Sequence, residues 1–366
     1  MARTPRPPLN ELARHCSRSL AGDGPRTVTS LLAQIPADTA MDLYGVGGVV
    51  EELEQEVAEL LGKQKALFLP TGIMAQQVAL RVHADHRARY SVALHPLCHL
   101  RTHEENAFSR LHHLDEVLAG SRFDPLAPVS LATLDQIREP IGTLLLELPQ
   151  RDIGGYLPTW KELTSQVEWA RERGAALHLD GARLWEAAPY YATSAKKSLA
   201  EVAGLFDTVY VSFYKGLGGI SGSCLAGDAE VIDEASIWRT RHGGRPYMLW
   251  PYAASALTVL RERRGAMTAY FRRARAIAQG LHALEGLDVL PDEVRSPLMH
   301  VRIRATTKEM EARARAIAEQ ESVWTFAKPF VSEGTRLQRI EFQVGRATME
   351  FSVDEVVALF ARLAGH

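Results

Sequence analysis

Between residues 178 and 222 the chain reads HLDGARLWEAAPYY and then, from Asp207, DTVYVSFYKGLGGISG. The first part closes a short apolar run, residues 175–179, on an acid, Asp180, with Gly181 and Arg183 just beyond. The second is a β-branched and aromatic run, residues 209–213, that leads into Lys215 in a glycine-rich turn. In a parallel sheet, side chains at the carboxyl ends of strands face a crevice, because backbone hydrogen bonding stops there. An acid, an arginine and a lysine are therefore expected to share one crevice.

Those three residue types together point to pyridoxal phosphate chemistry. A lysine can form a Schiff base with the cofactor aldehyde, and an acid can keep the pyridine nitrogen protonated so that the ring withdraws electrons. An arginine can grip a substrate carboxylate or the cofactor phenolate. Taken singly, each residue has an ordinary alternative: Asp180 as a helix cap, Arg183 as a solvated charge, Lys215 as an exposed loop lysine. Jointly those alternatives leave the two spacings and the glycines unexplained.

Helix and strand signals alternate along the chain. Val49, Leu53, Val57, Leu60 and Leu61 fall on one helical face; residues 66–69 are a short apolar strand before Pro70-Thr71-Gly72 and a second helix. Further apolar runs at 143–148, 175–179 and 208–213 alternate with amphipathic stretches such as 163–173. That order predicts an α/β fold with a mostly parallel, doubly wound sheet. The expected organisation is an N-terminal arm over 1–30, a large cofactor domain over 31–251 and a smaller α+β domain over 252–366. The last contains a long helical stretch at 252–284, strand-like segments at 299–303 and 339–344, and a final helix at 353–363.

Composition narrows the function classes. With 42 basic and 44 acidic residues in 366, the formal net charge is −2. Such a balance lacks the broad basic surface that nucleic-acid binding needs, and Arg261-Glu262-Arg263-Arg264 and Phe271-Arg272-Arg273 read as solvated helix faces. The three cysteines, Cys16, Cys98 and Cys224, show no disulfide, redox or metal-ligand spacing, so no metal is expected. No stretch approaches the ~18 consecutive apolar residues of a membrane span. The N-terminus MARTPRPPLNELARHCSRSL lacks the apolar core of a secretory signal, and its prolines suggest a disordered or interface arm. A cytoplasmic location is the expectation.

HLDGAR, the Lys215-Gly216-Leu217-Gly218 turn and the upstream stretch LYGVGGVVEELEQEVAELLGKQKALFLPTGIMAQQVAL resemble the threonine aldolase and β-eliminating lyase family, pyridoxal phosphate enzymes of the aspartate aminotransferase fold. The likeness runs over residues 27–360, with the C-terminal third matching mainly in pattern. It implies that Lys215 holds the cofactor, Asp180 faces the ring nitrogen and Arg183 binds cofactor or substrate. It further implies that His99, in LCHLRTHEEN, stacks on the ring and acts in proton transfer, and that Glu104 and Tyr44 lie near the substrate. The turn at Gly72 and Ile73 is the implied phosphate cradle, because a helix N-terminus offers unpaired N–H groups and the positive end of its dipole. Without the likeness, Gly72 reads as no more than a tight turn, and His99 as one of 13 histidines.

Several positions depart from the family pattern. Family members commonly carry a hydroxyl residue just after the glycine, where this chain has Ile73. Aligning GPRTVT with the family's N-terminal strand puts Pro25 at a serine position that helps to bind the substrate carboxylate. Aligning RIEFQV puts Glu341 where a second arginine is expected. Arg26 and Arg339 are the neighbouring candidates to compensate, although in a strand Arg26 would point away from the face of Pro25. The family's glycine-rich segment followed by methionine, arginine and glutamine is here HGGRPYM, with Tyr247 at the arginine position and Arg245 as the substitute that would reach a neighbouring subunit's phosphate. The family's Glu-Asn-Thr is here Glu147-Leu148-Pro149. The expected activity is aldol cleavage of a β-hydroxy amino acid by a homodimer or homotetramer. The alternatives are β-elimination on the same scaffold and, more remotely, a non-catalytic cofactor-binding module.

Overall fold

The apolar runs of the first two thirds of the chain become strands of one seven-stranded sheet in the computed structural model, which describes residues 9–20, 22–121, 123–326 and 329–366. The proline cluster Pro5, Pro7 and Pro8, on which the N-terminal arm was argued, lies outside the described residues. In chain order the strands are β1 (Lys65–Leu69), β2 (Ser91–Leu94), β3 (Asp115–Leu118), β4 (Thr143–Glu147), β5 (Ala176–Gly181), β6 (Thr208–Ser212) and β7 (Ser223–Gly227). They lie in the order β1-β7-β6-β5-β4-β2-β3. All neighbours are parallel except those of β7, which runs antiparallel to both β1 and β6. Strands β4 to β7 are buried almost throughout, as a sheet covered on both faces requires.

Helices α1 (Gly48–Leu61), α2 (Gly72–Arg87), α3 (Trp160–Glu172), α4 (Leu184–Ser194), α5 (Ala229–Arg241) and α6 (Trp250–Arg263) belong with this sheet in one compact unit, residues 28–265. Helix α1 buries Val49, Val50, Leu53, Val57, Ala58 and Leu61 and stops at Gly62, which is left-handed. Helix α2 is less regular. It buries Gln76, Gln77 and His83 beside its apolar residues, so polar groups of this helix are committed to partners inside the fold. Ala75, Val78 and Ala79 pack with Leu67, Leu69, Tyr210 and Leu225 of the sheet and with Ile232 and Ala235 of α5.

The other compact unit joins residues 1–27 to residues 266–366. Its four-stranded antiparallel sheet has the order β10-β11-β9-β8, from β8 (Leu287–Leu290), β9 (Leu298–Ile303), β10 (Val331–Gly334) and β11 (Leu337–Gln343). Its helices are α7 (Met267–His282), α8 (Thr307–Glu321) and α9 (Val353–Ala364). The expected long helix over 252–284 is divided: α6 ends at Arg263, and the 3-10 turn Arg264–Ala266, with Gly265 at its centre, precedes α7. The N-terminal segment is tied into this unit. Arg18–Ser19 pairs in parallel with Val323–Trp324, and Gly22 exchanges backbone hydrogen bonds with Gln343 and Ala347. Residues 24–27 form no strand, so the face-alternation argument applied to Pro25 and Arg26 does not hold, and a short helix, Val28–Leu32, follows.

Under α2 the Thr208 hydroxyl bridges two buried imidazoles, His83 Nε2 at 2.7 Å and His178 Nδ1 at 2.8 Å. Burial pushes both histidines down to about 3, so both are neutral in the folded protein. In the unfolded chain they titrate near ~6.5. Folding therefore excludes protons between those values, and stability that is intact above about pH 6.5 is lost as the pH falls below it, by ~1.4 kcal/mol per pH unit for each histidine. Replacing His178 with Gln removes one of the two. Denaturant titrations at pH 7.5 and 5 are expected to show a smaller acid-induced loss in His178→Gln than in wild type, by on the order of 2 kcal/mol; equal losses would contradict this account.

Candidate active site

The carboxyl ends of β4, β5 and β6 bring the chemistry-bearing residues together. Glu147 and Asp180 occupy paired positions at the ends of β4 and β5, and Asp180 pairs in turn with Tyr210 of β6. Asp180 is buried, with Oδ2 accepting from Gln76 Nε2 at 2.8 Å and Oδ1 from the Ala182 N–H at 3.1 Å. Burial raises its pKa; His99, the Ala182 N–H and Gln76 oppose the shift, and Glu104 adds to it, for a net rise. Glu147 accepts the backbone N–H groups of His99 at 3.0 Å and Arg151 at 2.9 Å, and it too is pushed up, by burial first and by the Asp180 charge next.

His99 opens a short helix, His99–Thr102, and is fixed by Glu104. Its Nδ1 lies 3.0 Å from Glu104 Oε1, which also accepts from Gln76 Nε2, while Glu104 Oε2 accepts from Gln77 Nε2 at 3.0 Å. Burial works against a charged imidazole here. The hydrogen bond to Glu104 and the negative field of Asp180, Glu104 and Glu147 outweigh it, and the His99 pKa is raised. Glu104 is buried and thus serves as a link from His99 through Gln76 to Asp180.

Lys215 follows β6 in a turn held from several directions. The Gly216 N–H donates to buried Glu186 Oε1 at 3.0 Å, Gln34 Nε2 donates to the Gly218 carbonyl at 3.1 Å, and Arg263 Nη1 donates to the Leu217 carbonyl at 2.8 Å. The Trp185 indole and the Ser212 hydroxyl tie the end of β6 to the start of α4. Lys215 Nζ lies 4.9 Å from the centre of the Tyr214 ring. Arg183 caps the start of α4 and is buried, with no hydrogen-bond partner for its Nε among the described residues.

The start of α2 lies beside this group. Thr71 Oγ1 accepts from the Met74 N–H at 3.2 Å, whereas the N–H groups of Gly72 and Ile73 have no protein acceptor among the described residues. Gly72 is required by packing rather than by its dihedrals: a Cβ there would collide with the Tyr210 hydroxyl. Ile73 is partly exposed. The chain thus offers two free N–H groups at the positive end of a sixteen-residue helix, an arginine nitrogen awaiting a partner, a lysine, and a buried acid with an imidazole linked to it. That donor set fits pyridoxal phosphate, which carries a phosphate dianion, a phenolate, an aldehyde and a basic ring nitrogen.

The remaining expected residues are described within their own units. Tyr44, with φ 53°, and Arg245 form an exposed cluster of the larger unit: Arg245 Nε donates to the Tyr44 carbonyl at 2.7 Å, and the rings of Tyr44 and Tyr247 meet edge to face at 5.3 Å. Gly244 packs on Met74, which brings this loop next to the first turn of α2. Arg26 is exposed on the smaller unit. Glu341, on β11 of that unit, stands across from His300 of β9, with Oε2 3.9 Å from the buried imidazole Nε2, and Arg339 is buried against Glu333. Sequence reasoning missed Gln76 and Gln77, which hold Glu104 and Asp180, and named Glu147 only within a motif that departs from the family's. The Gln76-Gln77 pair, one turn after Gly72, carried a signal that could have exposed its role.

The family model described as "Beta-eliminating lyase" matches residues 24–304. Low-specificity L-threonine aldolase 1 of Arabidopsis thaliana is 29% identical over 266 residues, which cover 70% of this chain and 72% of that protein. Low specificity L-threonine aldolase of Escherichia coli (strain K12) is 32% identical over 217 residues, covering 58% of this chain and 63% of that protein. Among solved structures, a protein assigned as an L-allo-threonine aldolase from Listeria monocytogenes EGD-E superposes with a TM-score of 0.90 at 37% identity, over 97% of this chain and 98% of that one. With the mostly parallel sheet and the donor set that fits the cofactor, these likenesses make the chain a member of the β-eliminating lyase family, an enzyme of the pyridoxal phosphate-dependent transferase fold with pyridoxal phosphate as its cofactor.

Proposed function

We propose that the chain is a cytoplasmic threonine aldolase, which splits a β-hydroxy-α-amino acid such as threonine into glycine and an aldehyde. The observation that carries this reading is the linked set His99, Glu104, Gln76 and Asp180 at the ends of the strands that present Lys215 and Arg183. The relatives named as threonine aldolases, at 29 to 37% identity, support the same reaction. Among the described residues no helix is long and apolar enough to cross a membrane.

When bound, pyridoxal phosphate supplies an electron-withdrawing ring that stabilises negative charge on the substrate α-carbon. Lys215 holds the cofactor covalently, and its turn is pinned by Glu186, Gln34 and Arg263 so that the amine needs little reorganisation. Asp180, oriented by Gln76 and the Ala182 N–H, holds a proton on the ring nitrogen. Its raised pKa reflects the cost of a buried charge, a cost that falls when a cation is placed beside it. His99 uses Nδ1 on Glu104, leaving Nε2 to take the proton of the substrate β-hydroxyl. Arg183 binds the substrate carboxylate, its buried Nε being the donor left over.

The reaction is tested by incubating purified protein and pyridoxal phosphate with threonine. Glycine and acetaldehyde are the expected products; pyruvate and ammonia from a β-substituted amino acid, with threonine left intact, would favour β-elimination instead. The lysine is tested by borohydride reduction and peptide mapping. The label is expected on Lys215 and is expected to be absent from Lys215→Ala, together with the bound cofactor's visible absorption; label on another lysine would refute the assignment.

The active form we propose is a homodimer or a homotetramer built from dimers. Supporting it, the larger unit exposes apolar side chains at Val28, Leu32, Met41, Leu43, Tyr44, Val46 and Tyr247, several of them in the loop that touches Arg245. Light scattering of the active protein is expected to give at least twice the 40.5 kDa chain mass; an active monomer would overturn this.

A further inference from the structure

In the aldol reaction His99 takes the proton of the substrate hydroxyl, and the negative field that favours its charged form makes it a good acceptor of that proton and a weak donor of it. The proton cannot leave through Nδ1, which is bonded to Glu104, a side chain only 1% exposed. A second imidazole packs against the first. His103 caps the end of the same short helix, with its N–H donating to the His99 carbonyl at 2.9 Å, and the centres of the two rings are 5.1 Å apart. This imidazole has a carboxylate of its own. His103 Nε2 lies 2.9 Å from Oδ2 of Asp152, which is buried and whose Oδ1 has no hydrogen-bond partner among the described residues. One acid holds both pairs in place, since Glu147 accepts the N–H of His99 with one oxygen and that of Arg151, the neighbour of Asp152, with the other. His103 also reaches water: its side chain is 34% exposed, and only its Nε2 is engaged with Asp152.

We propose that His103, oriented by Asp152, relays to solvent the proton that His99 removes from the substrate β-hydroxyl, by way of one water between the two rings. The inference rests on the aldol reading of the site. Its protons balance. The hydroxyl O–H bond breaks as the His99 Nε2–H bond forms; that N–H then gives its proton to the bridging water, which passes one to His103 Nδ1, and His103 releases it to bulk water. The electron pair of the broken Cα–Cβ bond stays with the α-carbon, which takes a proton from solvent to give glycine, so one proton leaves and one enters. Asp152 does for His103 what an orienting carboxylate does for any acid–base imidazole: it holds the Nε2–H tautomer, which leaves Nδ1 open, and it stabilises the imidazolium formed in passing. Both residues act through His99 and are positioning residues rather than catalytic ones.

The test measures threonine cleavage by the holoenzyme at fixed pH and ionic strength while the imidazole concentration is raised. His103→Ala is expected to lose kcat by about tenfold or more, with the KM for threonine and the visible absorption of the bound cofactor close to wild type. Imidazole, which can occupy the gap and carry the proton, is expected to restore much of that kcat and to leave wild-type kcat unchanged. Asp152→Asn, which keeps an acceptor for Nε2 but not the charge, is expected to fall between the two. Wild-type kcat in His103→Ala would overturn the proposal, and so would a loss that imidazole does not restore, since the ring would then only prop up His99; either result leaves the aldol reaction standing. Should the alanine variant fail to fold, His103→Gln is put through the same titration, and a kcat that does not rise with imidazole overturns the relay. A wild type that leaves β-hydroxy amino acids intact would overturn both the relay and the reaction.

Discussion

Two carboxylates, Glu147 and Asp180, stand side by side at the ends of adjacent buried strands, and the rest of the site is organised around the cost of that arrangement. Like charges at such spacing disfavour each other's ionisation, and burial adds to the penalty. The surrounding groups relieve it in two ways. Backbone N–H groups of His99 and Arg151 satisfy Glu147, which ties the loops carrying those residues to the sheet. Gln76 and the Ala182 N–H satisfy Asp180, and the field of the acids raises the pKa of His99. A cation placed beside Asp180 would lower the remaining cost.

Packing does a second job at the other end of the crevice. Gly72 and Gly216 are glycines because a side chain from elsewhere fills the room a Cβ would take, the Tyr210 hydroxyl at one and the Glu186 carboxylate at the other. Each close approach brings a backbone segment against a polar group. The start of α2 and the lysine turn are thus located by contacts with β6 and α4 rather than by their own local conformation. Rigid elements hold reacting groups more narrowly than loops can.

The alternation of apolar runs was enough to read the parallel sheet: the runs at 66–69, 143–148, 175–179 and 208–213 became β1, β4, β5 and β6. The strands that escaped notice have physical reasons for doing so. Strand β3 lies at the sheet edge and exposes Asp115 and Glu116, and β7 is built of small residues directly after a glycine turn. Within the site, Asp180, Arg183 and Lys215 were legible because each follows an apolar run. Gln76 and Gln77 were not, since they satisfy other polar groups, and that pairing is decided by tertiary contacts up to 104 residues apart.

The small sheet unit is stitched from both halves of the chain, with Leu20 and Gly22 bonded to residues 324, 343, 347 and 348. Residues 28–265, by contrast, form a continuous stretch that contains every strand of the large sheet. During synthesis the large unit can close on itself as soon as its own residues have emerged. Residues 18–20 and 22 have no strand partner until residues beyond about 320 are made, so they must wait unpaired through the translation of the whole large sheet. The fold thereby imposes an order of assembly in which residues 18–20 and 22 find their partners only after every strand of the large sheet has been made.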